Sequence, residues 1–168
     1  TWGASAVTDM ASLVYNAPCR STFDEDIDDW DVGQVTTMHY MFGHANSFNR
    51  PLNAWAVGKV SAMTDIFRSA RAFNQSLDAW DVSQVTSMYR VFYDADAFNQ
   101  PLEAWDVSQV TSMSQMFPSQ NAFNQNLSAW NVSKVTSMYY MFHRAGAFNG
   151  DINGWDVSKV SDMQDMFY

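Results

Sequence analysis

Apolar positions along this chain recur at fixed short steps rather than in runs. One stretch reads Leu127, Trp130, Val132, Val135, Met138, Met141 and Phe142, with polar or small residues between. Trp130 and Val132 are spaced as same-face residues of a strand, whereas Met138, Met141 and Phe142 are spaced as one face of a helix. The pattern predicts a short strand over about residues 129–133, then a turn, then a short helix capped by Thr136 or Ser137. Such a helix is marginal alone and must be held by neighbours.

Those neighbours are copies of the same unit. Trp30, Trp55, Trp80, Trp105, Trp130 and Trp155 stand 25 residues apart. Val32, Met38 and Phe42 head columns that recur at that interval to Val157, Met163 and Phe167, and Phe23 heads another ending at Phe148. A strict period of this length predicts stacked units in which each column runs along one axis. The Leu-x-x-Trp-x-Val step has the skeleton of a leucine-rich repeat. The expected fold class is therefore α/β: a right-handed, leucine-rich-repeat-like solenoid of about six repeats, each with a short parallel strand and a short helix.

Residues 1–29 read as a degenerate first repeat, because Trp2, Val7, Thr8 and Met10 keep the later offsets. Trp2 and Trp30 are 28 apart, which places a three-residue insertion in the stretch Tyr15 to Thr22. Residues 30–168 are regular, and the whole is expected to form one continuous domain. The chain stops at Tyr168, half a repeat after the last Trp, which predicts that a longer parent chain continues past it.

Composition narrows the function. The net charge is −9, 47% of residues are hydrophobic and only 16% are charged, which argues against disorder and against binding a polyanion such as nucleic acid. No apolar run approaches the roughly 20 residues of a transmembrane segment. Cys19 has no second cysteine to pair with, so stability must come from packing.

The phrase Phe-Asn-Gln-Pro-Leu-x-Ala-Trp-Asp-Val-Ser-Gln-Val-Thr-Ser-Met at Phe98 to Met113 resembles the BspA-like repeat surface proteins, a family of 25-residue repeats also common in mycoplasma surface lipoproteins. The resemblance spans nearly the whole chain and is weakest over residues 1–29. It implies an extracellular or cell-surface location and a part in adhesion or protein recognition. It implies no catalytic residues.

The residues themselves offer no nucleophile set, distinctive acid pair or phosphate loop, so no enzyme and no cofactor are expected. Three binding chemistries remain. Asp31, Asp81, Asp106 and Asp156 follow successive Trp residues in an outward column, where like charges need relief; calcium shared between them would make the chain a calcium-stabilised scaffold. The acidic run Asp24 to Asp31 is a solvated rim or a second such place. Thr36, Ser61, Thr86, Thr111, Thr136 and Ser161 form a hydroxyl column that could bind ice or a crystal surface, or cap helices. The favoured reading lies where the repeats differ. His39, Tyr40, Tyr89, Arg90, Tyr93, Tyr139 and Tyr140 occupy variable exposed offsets, and Tyr and Arg are the residues that anchor a protein or glycan partner. His143 falls in the same stripe.

Overall fold

The computed structural model describes residues 6–168; Trp2 lies outside the described residues. Within each 25-residue unit, apolar residues three apart are the closing residues of turns. The Trp55 N–H donates to the Leu52 carbonyl (3.3 Å), Val60 to Val57 (2.8 Å), Met41 to Met38 (3.1 Å), Ala45 to Phe42 (3.0 Å) and Phe48 to Ala45 (3.1 Å). Alternate N–H groups leave the unit instead. Met38, Tyr40, Phe42 and His44 donate to the carbonyls of Ala62, Thr64, Ile66 and Arg68 at 2.7–3.0 Å. The scheme recurs up to Arg144, whose N–H meets the Tyr168 carbonyl at 2.7 Å.

Successive units are thus rungs joined by parallel main-chain pairing. Asp9, Thr37, Ala62, Ser87, Ser112, Ser137 and Asp162 form one line of isolated parallel bridges. The first step spans 28 residues and the others 25, so the Tyr15–Thr22 stretch adds its residues without breaking the register.

The α/β leucine-rich-repeat-like solenoid does not form. Among the described residues there is no helix, and pairing between rungs never extends beyond a single bridge residue into a strand. Where a strand was expected, Trp130 closes a turn on Leu127 (3.1 Å) and Val135 closes another on Val132 (2.9 Å). Where a helix was expected, the backbone turns left-handed at every fourth residue. Tyr40, Asp65, Arg90, Gln115, Tyr140 and Asp165 have φ between 49° and 59°, and so do His44, Ser69, Asp94, Ser119 and Arg144. A left-handed non-glycine residue costs about 1–2 kcal/mol and cannot continue a right-handed helix. Its own N–H goes to the neighbouring rung, as Tyr40 to Thr64, while the next N–H closes the turn within the rung, as Met41 to Met38, and the cross-rung bond, with the core beneath it, offsets the strain.

The core consists of aromatic columns inside this frame. Phe42, Phe67, Phe92, Phe117, Phe142 and Phe167 stack at 5.4–5.7 Å with planes within 8°. Phe48, Phe73, Phe98, Phe123 and Phe148 stack at 5.9–6.1 Å. The two columns touch within each rung, as at Phe92 and Phe98, 4.0 Å apart. Trp55, Trp80, Trp105 and Trp130 are 2–3% exposed. Each indole N–H still finds an acceptor one rung back: Trp55 on Ile27, Trp80 on Leu52, Trp105 on Leu77 and Trp130 on Leu102, at 2.9–3.1 Å. That is the requirement for burying a polar group.

A side-chain ladder locks the opposite edge. Asn74, Asn99 and Asn124 each donate a backbone N–H to the side-chain oxygen of the Asn 25 residues earlier (2.9 Å). Asp24 Oδ1 accepts the Asn49 N–H at 3.0 Å, so its departure from Asn keeps the acceptor. No helix among the described residues is long and apolar enough to cross a membrane.

Candidate functional site

The left-handed turns determine which side chains vary. In the five rungs from Trp30 to Trp130 they sit at offsets ten and fourteen after Trp, beside the variable offsets nine and thirteen, so the strained backbone and the changing side chains share one face. On that face Tyr40 packs edge-on against Tyr15 (4.6 Å between centroids) and touches His39 (5.6 Å) and His44 (6.3 Å). The Arg68 guanidinium lies 5.6 Å from the Tyr40 ring centre and 5.2 Å from that of Tyr93, and so joins two clusters. Arg90 lies over Tyr89 (4.6 Å) and Tyr93 (5.4 Å). Tyr139 and Tyr140 meet at 4.2 Å, Tyr140 and His143 at 4.2 Å, and His143 and Tyr168 at 5.1 Å.

The seven residues expected to bind a partner therefore fall in two groups. His39 and Tyr40 connect through Arg68 to Tyr89, Arg90 and Tyr93; Tyr139 and Tyr140 stand apart with His143. His39 is partly committed to the fold, since its Nδ1 lies 2.9 Å from the Thr64 carbonyl oxygen. Between the groups runs the rung of residues 114–119, where a groove of about 340 Å³ opens over Gln115, Pro118 and Ser119. Gln115, Pro118, Ser119, His143 and Arg144 line it with Arg90, Tyr93, Tyr139 and Tyr140.

Sequence reasoning about repeated columns passes over this groove, yet a signal exists. Gln120 replaces the alanine that is buried at Ala45, Ala70 and Ala95 and partly buried at Ala145, and Pro118 stands where other rungs have a residue with an N–H. Gln120 is fully buried and its Nε2 donates to the Phe92 carbonyl at 2.7 Å.

Charge on the face is sorted by burial. Burial pushes the Asp65 carboxyl up despite the Arg68 guanidinium 3.4 Å away. Burial raises the Tyr40 phenol, and it lowers His44, helped by Arg68 and Arg20, so that His44 is mostly neutral at pH 7. The Tyr140 phenol is raised chiefly by its hydrogen bond with Asp165.

The other candidate columns are occupied locally. Oδ1 of Asp31, Asp81, Asp106 and Asp156 accepts the N–H two residues on, from Gly33, Ser83, Ser108 and Ser158, at 3.0–3.1 Å. Among the described residues no three His, Cys, Asp or Glu side chains gather into a group that could hold a metal ion. In the hydroxyl column Thr36, Thr111, Thr136 and Ser161 donate to the carbonyl of the rung before, at 3.1–3.2 Å, rather than capping helices.

The aspartate turns yield a pH prediction. The hydrogen bonds from Ser108, side chain first and then backbone, hold the Asp106 carboxyl below its ordinary value of 3.8. A depressed value contributes stability that is complete above 3.8 and is lost as pH falls through the lower, folded-state value. Asn131 makes the same turn without titrating, accepting from Ser133 at 3.2 Å. Asp106→Asn is expected to melt like the parent at pH 7 and to lose less stability between pH 5 and 2, whereas Asp106→Ala, leaving the Ser108 N–H to water, costs about 0.5–1 kcal/mol at pH 7. Thermal melts across that range check both.

Comparison with curated proteins and with solved structures returned no match. A family model described as "Mycoplasma protein of unknown function, DUF285" matches residues 1–105 and 76–168, two overlapping segments that together span the sequence. The chain therefore belongs to the DUF285 family.

Proposed function

We propose that the chain is a non-enzymatic recognition module that holds a protein or glycan partner, at a cell surface or outside the cell, on the face of the left-handed turns. The observation carrying this reading is the coincidence of variability with anchor chemistry. Inward columns repeat the same residues from rung to rung, while the outward offsets of one face change and collect Tyr, His and Arg in ring contact. Rigid aromatic side chains give contact area at small entropic cost, and Arg adds hydrogen bonds. The likeness of the Phe98–Met113 phrase to BspA-like surface proteins supports the extracellular setting.

The test is binding of the labelled chain to a panel of surface proteins and glycans, repeated with Tyr139→Ala combined with Tyr140→Ala. Both residues are only partly buried, so melting should change little. Affinity for whichever partner the parent chain selects is expected to fall at least about tenfold, as for hot-spot tyrosines. Unchanged binding by the double variant would remove this face from the function.

A further inference from the structure

We propose that the groove above residues 114–119 is a subsite for an acidic sugar: a pyranose bearing a carboxylate, held by Arg90 and Arg144 with its ring against tyrosine. This rests on the reading of the face as a recognition surface and specifies its ligand.

The first ground is the floor. In other rungs a turn bond ties the residue at offset thirteen to the one at offset ten: Gly43 donates to Tyr40, Arg68 to Asp65, Tyr93 to Arg90 and His143 to Tyr140, at 3.0–3.3 Å. Pro118 has no N–H to give, so the Gln115 carbonyl keeps an acceptor site that those four rungs consume. A sugar hydroxyl is a donor of the right kind.

The second ground is charge. Arg50, Arg68 and Arg71 each lie against an aspartate. Among the described residues neither Arg90 nor Arg144 forms a direct ion pair, although Arg90 feels the Asp65 carboxylate at longer range, and both line the groove of a chain with net charge −9. Arg90 uses Nε on the Gln115 side-chain oxygen (2.9 Å), an arrangement that orients its terminal nitrogens for a bidentate anion. Among the described residues no carboxylate lines the groove; Asp165, one rung on, is tied to the Tyr140 phenol, and Asp94 is held by Arg71 at 3.0 Å.

The third ground is the walls. Tyr93 on one side and Tyr139, Tyr140 and His143 on the other line the groove with aromatic side chains, held by Arg90 over Tyr93 and by ring contact at Tyr140, which offer a pyranose rigid apolar contact. His143 Nδ1 is buried without a hydrogen-bond partner in this wall and is a further polar contact for a ligand. A volume of about 340 Å³ lies at the low end for small-molecule sites and fits one or two sugar rings.

Calorimetric titration of the whole chain with an oligosaccharide of hexuronic acid and with the same oligosaccharide reduced to neutral hexose tests the proposal. The acidic sugar is expected to bind at least about tenfold more tightly, an advantage that shrinks as salt is raised. Arg144→Gln should cost it about tenfold with the melting temperature unchanged, because that side chain is exposed and has no carboxylate partner among the described residues. Pro118→Ala restores the turn donor and should weaken both sugars several-fold without loss of stability. Equal affinity for the two sugars overturns the carboxylate assignment while leaving glycan recognition in place. Binding of neither sugar, with a protein partner still lost on the Tyr139 and Tyr140 substitutions, overturns the subsite and leaves the broader reading standing; binding of an acidic peptide in their place overturns it equally.

Discussion

Trp105→Ala is expected to destabilise the chain by about 3–5 kcal/mol, the range for deleting a fully packed large aromatic. The indole is 3% exposed, stacks 6.1 Å from Phe92 and donates to the Leu77 carbonyl at 3.1 Å. Its loss therefore empties a core volume and removes the cross-rung donor of the Leu77 carbonyl, which keeps only the Trp80 N–H of its own rung (3.0 Å). Trp105→Phe separates these contributions: most of the apolar bulk stays, only the cross-rung bond to the Leu77 carbonyl is lost, and the cost should fall to about 1–3 kcal/mol. Because each rung is stabilised through its neighbours, hydrogen exchange should quicken first on either side of Trp105 rather than evenly along the chain. Denaturant melts within about 1 kcal/mol of the parent for Trp105→Ala would contradict an indole column that holds the stack.

The stacking itself is legible in the sequence and the local conformation is not. A strict interval of 25 leaves equivalent residues facing one another in any arrangement with coils of equal length, so the alignment of the columns follows from the period, and the burial of the Trp, Val, Met and Phe columns short of the last rung follows from their apolar character. Spacing of three is ambiguous. Met138 and Met141 can share a helix face, or they can close a turn through the Met141 N–H on the Met138 carbonyl, which the structure shows at 3.1 Å. What decides is the left-handed residue at Tyr140, and Tyr, Asp, Arg and Gln at that offset give none of the Gly or Asn signals by which such a position is usually read. The tertiary bonds between rungs select the conformation, and no window within one repeat contains them.

The face was legible to the same degree. Variable offsets flag Tyr89, Arg90, Tyr93, Tyr139 and Tyr140, because a column free to change is a column that packing does not constrain. Arg68 is at the same offset as Tyr93 and His143, but its part in joining Tyr40 to Tyr93 depends on side-chain reach between rungs. The groove comes from what a rung lacks: bulk at Ser119, and an N–H at Pro118. Such a gap becomes a site only when the flanking rungs supply walls.

Asn99 is where the largest effect outside the aromatic core is expected. Its Oδ1 accepts the Asn124 N–H (2.9 Å) and Gln125 Nε2 (2.8 Å), while its own N–H reaches Asn74 Oδ1 (2.9 Å). Asn99→Leu keeps the size of the side chain and removes the acceptor, leaving a backbone donor of the next rung without its partner beside the buried Phe123. The expected cost is about 1–3 kcal/mol, toward the lower end because the residue is only partly buried. Asn99→Asp is the discriminating control. Asp24 already fills this column in the first full rung and accepts the Asn49 N–H at 3.0 Å, so an aspartate at position 99 should retain the cross-rung bond and melt within about 1 kcal/mol of the parent at pH 7. Equal destabilisation by Leu and Asp would mean that the amide NH₂, rather than the oxygen, carries the ladder; loss with Leu alone establishes the column as a line of acceptors that sets the register of each rung on the one before.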